Sequence, residues 1–481
     1  MTRPRSAAAV LAAIAAPGFA VGLVLGLAAC AAGPDAPAGD GDSTGDSIDF
    51  PDVATGKTDV FGRSLVAVAA PYEPDPALAG EAGDALAADV RARREAGWAT
   101  AFKVLEPVPL LGLAEVIADH PEVSWPVDDV PHVARWETWY GVEDLKRMFQ
   151  HLYEGLGADG RASRAPFAAA ALAEAEVWNA GAAARSDRWP LERYLDHVRE
   201  LGQCPEGTPA DECAPALEEL LGGAVTGTTR ILYSPGTARH LLGQYAGAVA
   251  CLDALDSLAL DAAPPSADNF TACFSEELPP DAVLVKAQWV RADFQPELPA
   301  FDTDADAMAR RLTGSATWSE EGDRKVDPSP RDIYTIRLSD GSVFRLAGMH
   351  IMTKELRHWQ WITLWWSDRP GDDFGADRPA RFAELPPVWS RYKMCAVSWF
   401  DERDPELGRR YADLPSLAAA IDATAGAPGQ PSWCSNPYIE HGRANAATNC
   451  IGCHQHAGTA LLTEDVLGDG KRFPASGRTL V

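Results

Sequence analysis

Cys450-Ile451-Gly452-Cys453-His454 is the stretch that most constrains what this chain can become. Cys-x-x-Cys-His is the attachment signature of c-type haem. Two thiols at this spacing add to the two vinyl groups on one edge of the ring. The histidine that follows directly can then swing beneath the ring and bind iron through its imidazole. The alternative is a structural disulfide or half of a zinc site. No second Cys-x-x-Cys or Cys-x-x-His pair occurs elsewhere in the chain to complete a four-ligand zinc cage. The motif predicts one covalent haem c held by Cys450 and Cys453, with His454 as the proximal iron ligand.

The other end of the chain points to the compartment in which such haem is attached. Arg3 and Arg5 form a short positive region, residues 7–29 are an uncharged apolar run, and Leu27-Ala28-Ala29-Cys30 closes it. This reads as an export signal spanning residues 1–29. Its end looks like a bacterial lipobox, so Cys30 is the expected lipidation site and new N-terminus. An uncleaved anchor helix is the competing reading, and Pro17 and the small residues oppose it. The expected location is a bacterial membrane surface, facing the periplasm or the outside.

Cysteine use agrees with export. Setting aside Cys30, Cys450 and Cys453 leaves Cys204, Cys213, Cys251, Cys273, Cys395 and Cys434. An even remainder in an exported protein predicts disulfides. Pairing of sequence neighbours gives 204–213, 251–273 and 395–434, although sequence alone does not choose among the connectivities. The net charge is −27, and loss of Arg3 and Arg5 makes it more negative. Such a surface excludes nucleic acid as a partner and favours a basic patch on a redox protein.

Taken in order, residues 30–58 are rich in Gly, Ala, Pro, Asp and Ser and read as a flexible acidic tether. Residues 59–275 read as mostly helical. Val142, Leu145, Met148, Phe149, Leu152, Tyr153 and Leu156 recur at helical spacing, as do Leu191, Tyr194, Leu195, Val198 and Leu201. Ser234-Pro235 has the form of a helix cap followed by proline at the first helical position. His240 on that helix is expected to be hydrogen-bonded rather than ligating.

Residues 276–380 change period and read as an antiparallel β-sheet. Val283, Val285 and Ala287 alternate with Leu284, Lys286 and Gln288. A hairpin is expected around Ser339-Asp340-Gly341, with a three-residue loop that pairs Ile336 with Phe344, Thr335 with Arg345 and Tyr334 with Leu346. On an unbulged strand His350 and Met352 continue the apolar face of Phe344 and Leu346; a bulge at Gly348 would break that continuity. Trp359, Trp361, Thr363 and Trp365 alternate with Gln360, Ile362, Leu364 and Trp366, which predicts an interior strand. Asp302, Asp304 and Asp306 repeat at every second position, and a helix cap ahead of residues 307–312 is preferred to a calcium loop.

Residues 381–481 are expected to form a small, mainly helical or loop-rich segment carrying the haem. The fold class is therefore α+β. The tail beyond His454 has no Met, and His456 is too close to reach the far side of the ring. A sixth ligand must come from upstream. His350 and then Met352 lead, with Met349, Met394, His358 and His441 as the other candidates; a core His350 bonded to a backbone carbonyl is the competing reading.

Several blocks resemble a family of exported bacterial cytochrome c-like proteins with a C-terminal haem motif. These are Arg135-Trp136-Glu137-Thr138-Trp139-Tyr140, His350-Ile351-Met352-Thr353-Lys354, Trp359-Gln360-Trp361-Ile362-Thr363, and Thr448-Asn449-Cys450 leading into the motif. The family often continues the Trp-x-Trp-x-Thr run with Phe-Glu-His, where this chain has Leu364-Trp365-Trp366. The resemblance implies haem and export, and no particular substrate. The leading expectation is a lipid-anchored monohaem protein that transfers electrons outside the cytoplasm to a redox partner. The rivals are a peroxidase-like oxidoreductase with an open iron, and a haem-based sensor or binding protein. No Ser-His-Asp set, P-loop or nucleotide fingerprint stands out in the rest of the chain.

Overall fold

A computed structural model describes residues 69–78, 85–86, 89–109, 132–183, 227–246, 277–292, 295–312, 317–337, 343–356, 359–398, 403–404, 430–431, 433–441, 445–447 and 449–450. The elements run α1 (Val90–Leu105), β1 (Pro107–Pro109), β2 (His132–Ala134), α2 (Val142–Gly155), α3 (Gly157–Ser163) and α4 (Ala169–Ala183). There follow β3 (Gly227–Tyr233), α5 (Pro235–Gly243), β4 (Val283–Arg291), β5 (Leu298–Ala300), α6 (Ala305–Leu312) and β6 (Arg324–Val326). The last are β7 (Thr335–Arg337), β8 (Val343–Thr353), β9 (Gln360–Trp366) and β10 (Tyr392–Val397), with short pieces at β11 (Arg403–Asp404) and β12 (Gln430–Pro431).

The centre is an antiparallel sheet in the order β10-β9-β8-β4-β3, with β7 paired to β8. β4, β9 and β10 are buried along their whole length, as strands covered on both faces must be. The fold is thus α+β, with helices set around an antiparallel sheet. The sheet is wider than the sequence region assigned to it. β3 comes from residues expected to be mostly helical, where Thr228, Thr229 and Ile231 form a short β-branched run. β10 comes from the segment expected to carry haem. Both pair in register with their neighbours, so positions 276 and 380 do not bound the β-structure.

Several local expectations hold. β7 pairs Thr335 with Arg345 and Ile336 with Phe344, and Leu346 N–H donates to Tyr334 O. The turn residues 338–342 lie outside the described residues. α2 ends at Gly155, and Ser234 Oγ accepts from Thr237 N–H to cap α5, with Pro235 opening it. Asp304 Oδ1 accepts from Ala307 N–H at 2.9 Å, so the helix cap is made. Asp302 instead accepts from Arg324 at 2.7 Å. The helix read over 191–201 and the tether at 30–58 lie outside the described residues.

α1 lies on one face of the sheet, called the helix face below. A Cβ on Gly97 would stand 2.8 Å from Ala396 Cβ and 3.3 Å from Met394 Sδ, so glycine lets the helix seat on β10. Arg94 is anchored beside it, pairing with Asp377 and donating to Met394 O at 2.7 Å. Aromatic rings fill the same face: Trp136 on Trp289, Trp289 on Tyr334, and Tyr334 stacked on Trp389.

Glu137 is buried in this aromatic layer. Its carboxylate accepts from Ala134 N–H at 2.9 Å and from the Tyr334 hydroxyl. Burial pushes the carboxyl up to about 8, against the pull of those bonds and of Arg230. The folded chain therefore holds this proton more tightly than the unfolded chain does. Stability is highest below the ordinary value of 4.5 and falls as pH rises toward about 8. Glu137→Gln should flatten that decline by on the order of 2–4 kcal/mol between pH 5 and pH 9. Denaturant unfolding at several pH values measures it, and parallel wild-type and variant slopes would remove Glu137 as the titrating group.

Candidate functional site

The other face of the sheet carries a strap formed by residues 433–441, 445–447 and 449–450. Directly opposed residues of an antiparallel pair share a face. On this side the pairings run Lys286 to His350 to Thr363 to Cys395, and, one step along, Gln288 to Gly348 to Trp365 to Lys393. The strap is fixed to these residues at several points. Cys434 is disulfide-bonded to Cys395, as the pairing of sequence neighbours anticipated. Asn436 Nδ2 donates to Leu364 O at 2.9 Å, and Trp318 Nε1 donates to Ser435 Oγ at 2.8 Å. Trp433 Nε1 donates to Ala446 O at 2.8 Å, tying the beginning of the strap to its end.

Gly348 is where strap and sheet come closest. A Cβ there would lie 2.6 Å from Asn436 Oδ1. The residue beside it, Ala347, is a bulge: Gln288 opposes Gly348 while Trp289 opposes Leu346. This corrects the expectation that His350 and Met352 continue the face of Phe344 and Leu346. The extra residue reverses the alternation. Phe344 and Leu346 stay with Arg291 and Trp289 on the helix face, whereas His350 and Met352 pair with Lys286 and Leu284 under the strap.

Cys450 is 2 % exposed, and its Sγ lies 4.0 Å from Thr363 Oγ1. Thr363 is the direct cross-strand partner of His350. The first haem-motif thiol, the leading imidazole and the Met352 thioether therefore share one face of the sheet. Of the other candidates, Met349 and Met394 pair with Ala287 and Leu364 and belong to the helix face, opposite Cys450. His441 is half-buried and follows directly on Glu440. His358, Cys453, His454, Cys30, Cys204, Cys213, Cys251 and Cys273 lie outside the described residues.

Sequence reasoning missed the polar company of His350. Its Nε2 lies 3.7 Å from Glu440 Oε1, and both side chains are buried. Burial pushes the Glu440 carboxyl up to about 7, opposed by Asn436 N–H, Ser435 and the Lys286 charge. Lys286 was the legible signal. A lysine inside a strand otherwise built for burial needs an anionic neighbour. Glu440 follows no periodic pattern and gave no such warning.

No family model, curated protein or solved structure matches the chain. The site must be read from its own residues. Among the described residues no group of three or more His, Cys, Asp and Glu side chains could hold a metal ion by itself. No helix among them is long and apolar enough to cross a membrane.

Proposed function

We propose that the chain is an exported, lipid-anchored monohaem protein of the cytochrome c-like kind that transfers electrons outside the cytoplasm. Cys450 and Cys453 would hold haem c through two thioethers, and His454 would bind the iron from below. When bound, the group supplies a one-electron couple. The observation that carries this reading is the burial of Cys450 against Thr363, on the face that also presents His350 and Met352. A thiol, an imidazole and a thioether gathered there are the donor types that a c-type haem uses.

The chain's own part is to fix the carrier segment. The disulfide, Asn436 and Trp433 seat the strap, and Cys450, His350 and Glu440 are buried between it and the sheet. The sixth ligand is proposed from β8, either His350 or Met352. Glu440 beside His350 would raise the basicity of a ligating imidazole, as carboxylates next to metal-bound histidines do. Cys30 would carry the lipid, and the acidic surface suits a redox partner with a basic patch. Nucleic acid is not among the proposed partners.

A peroxidase-like oxidoreductase with an open iron is the second reading. The buried His350–Glu440 pair favours it, because such a pair can hold and release a proton within a covered site.

Intact mass and optical spectra of the oxidised and reduced protein, from a host that attaches haem c, test the proposal. A covalent haem with low-spin ferric iron supports electron transfer, high-spin iron supports the enzyme, and apoprotein mass alone rejects both. His350→Ala and Met352→Ala should then separate the ligands. Loss of low-spin character in one variant names it, with a higher potential expected for Met ligation than for a second imidazole. Unchanged spectra and potentials in both would remove β8 from the iron.

A further inference from the structure

Three cysteines meet around Thr363. Its cross-strand partner on β10 is Cys395. Cys395 is bonded to Cys434 at the start of the strap. Cys450, at the end of the strap, lies 4.0 Å from the Thr363 hydroxyl. Directly opposed residues of an antiparallel pair hold their Cβ atoms about 4.5–5.5 Å apart, so Cys395 and Cys450 flank the same small side chain. All three cysteines are buried. The strap returns Cys450 to the place where the disulfide already stands, because Trp433 holds Ala446.

We infer that the Cys395–Cys434 disulfide acts as a guard for haem attachment. By occupying Cys395 with Cys434, it keeps Cys395 from pairing with Cys450. The inference rests on the proposed haem reading. While the native disulfide is present, the competing step is an exchange that needs no outside oxidant. The Cys450 thiolate attacks Cys395 Sγ, the 395–450 bond forms and the 395–434 bond breaks. Cys434 leaves as a thiolate and takes up the proton that Cys450 released. The exchange is redox-neutral, with one disulfide and one thiol among the three sulfurs before and after, and a thiol that haem attachment requires is lost. With Cys434 present, closure of the native disulfide is favoured by the many contacts that seat the strap. Without Cys434, Cys395 and Cys450 are two free thiols, and a bond between them forms when a disulfide-bonded oxidoreductase of the exporting compartment takes up both electrons and both protons, its own disulfide becoming two thiols.

This predicts an order of effects that a merely structural disulfide would not give. Cys434→Ala should lower covalent haem loading several-fold, and its apoprotein should yield a 395–450 linked peptide in a non-reducing map. Haem that does attach in this variant should carry one thioether instead of two, read from the shifted band of its pyridine complex. Cys395→Ala with Cys434→Ala, which removes the competitor as well, should recover loading and both thioethers. All three chains are made in one host with haem c maturation and read by intact mass, pyridine haemochrome and peptide map. Equal loading in the single and double variants, whether both high or both low, overturns the guard. So does the absence of the 395–450 peptide from Cys434→Ala apoprotein. Failure of the haem reading is distinguishable, because the wild-type chain would then carry no haem while the peptide map still reports the thiol contact.

Discussion

Cys450→Ala combined with Cys453→Ala is expected to give a folded protein with apoprotein mass and no covalent haem. The chemistry is strict, since each thioether needs its own sulfur and neither serine nor alanine supplies one. The structure adds that the fold should survive. Cys450 is one small buried side chain, and removing its sulfur should cost ~1 kcal/mol. The strap keeps its disulfide to Cys395, the Asn436 bond to Leu364 and the Trp433 bond to Ala446. Loss of cofactor is thereby separated from loss of fold. Intact mass under denaturing conditions decides, with thermal unfolding as the control. A covalent haem adduct persisting in the double variant would end the assignment of these two thiols.

The second large effect is expected at Gly348. Gly348→Ala places a methyl 2.6 Å from Asn436 Oδ1 and 2.8 Å from its Nδ2. Asn436 cannot swing aside freely. Its side chain donates to Leu364 O and accepts from Tyr438 N–H, both at 2.9 Å. Replacing a mid-strand glycine by alanine would ordinarily help, by reducing the backbone entropy lost on folding. Here overpacking should win, at about 1–3 kcal/mol, and the strap should lift from β8. Asn436→Ala alone should also destabilise, because Leu364 O loses its donor. Combining the two substitutions removes the clash along with the bond, so the double variant should be less destabilised than the sum of the singles. Denaturant titration of the four proteins gives the coupling. Strict additivity would mean that the close approach carries no strain.

Much of the sheet was legible because its signals are local. The Tyr334, Thr335 and Ile336 pairings follow from turn chemistry and alternation, and Ser234-Pro235 and Asp304 announce their helices. The large residues on both sides of β9 mark an interior strand, and it is buried throughout. What escaped notice is set by distant partners. Gly348 signalled that a bulge was possible here, but nothing local says whether one forms at Ala347. Yet that one residue decides that His350 and Met352 lie under the strap and not with Phe344. Glu137 is an ordinary acid in sequence, and only Tyr334, 197 positions later, reveals its burial. The Cys-x-x-Cys-His motif was plain from spacing alone. The surroundings of Cys450 were not, because Thr363, Glu440 and Lys286 come from three separate segments.

The strap also sets a sequence of events in time. Its partners are supplied by β8, β9 and β10, and the sheet under them joins β3 to β4 and β4 to β8 across long stretches of chain. Topologies dominated by such non-local pairings assemble slowly. Cys450 can be covered only after that assembly is complete. Enzymes that attach haem to a thiol need it accessible, so for this chain attachment would run as a race against burial. The slow closing of the sheet would lengthen the interval in which the motif can be reached, and a variant that folds faster would shorten it.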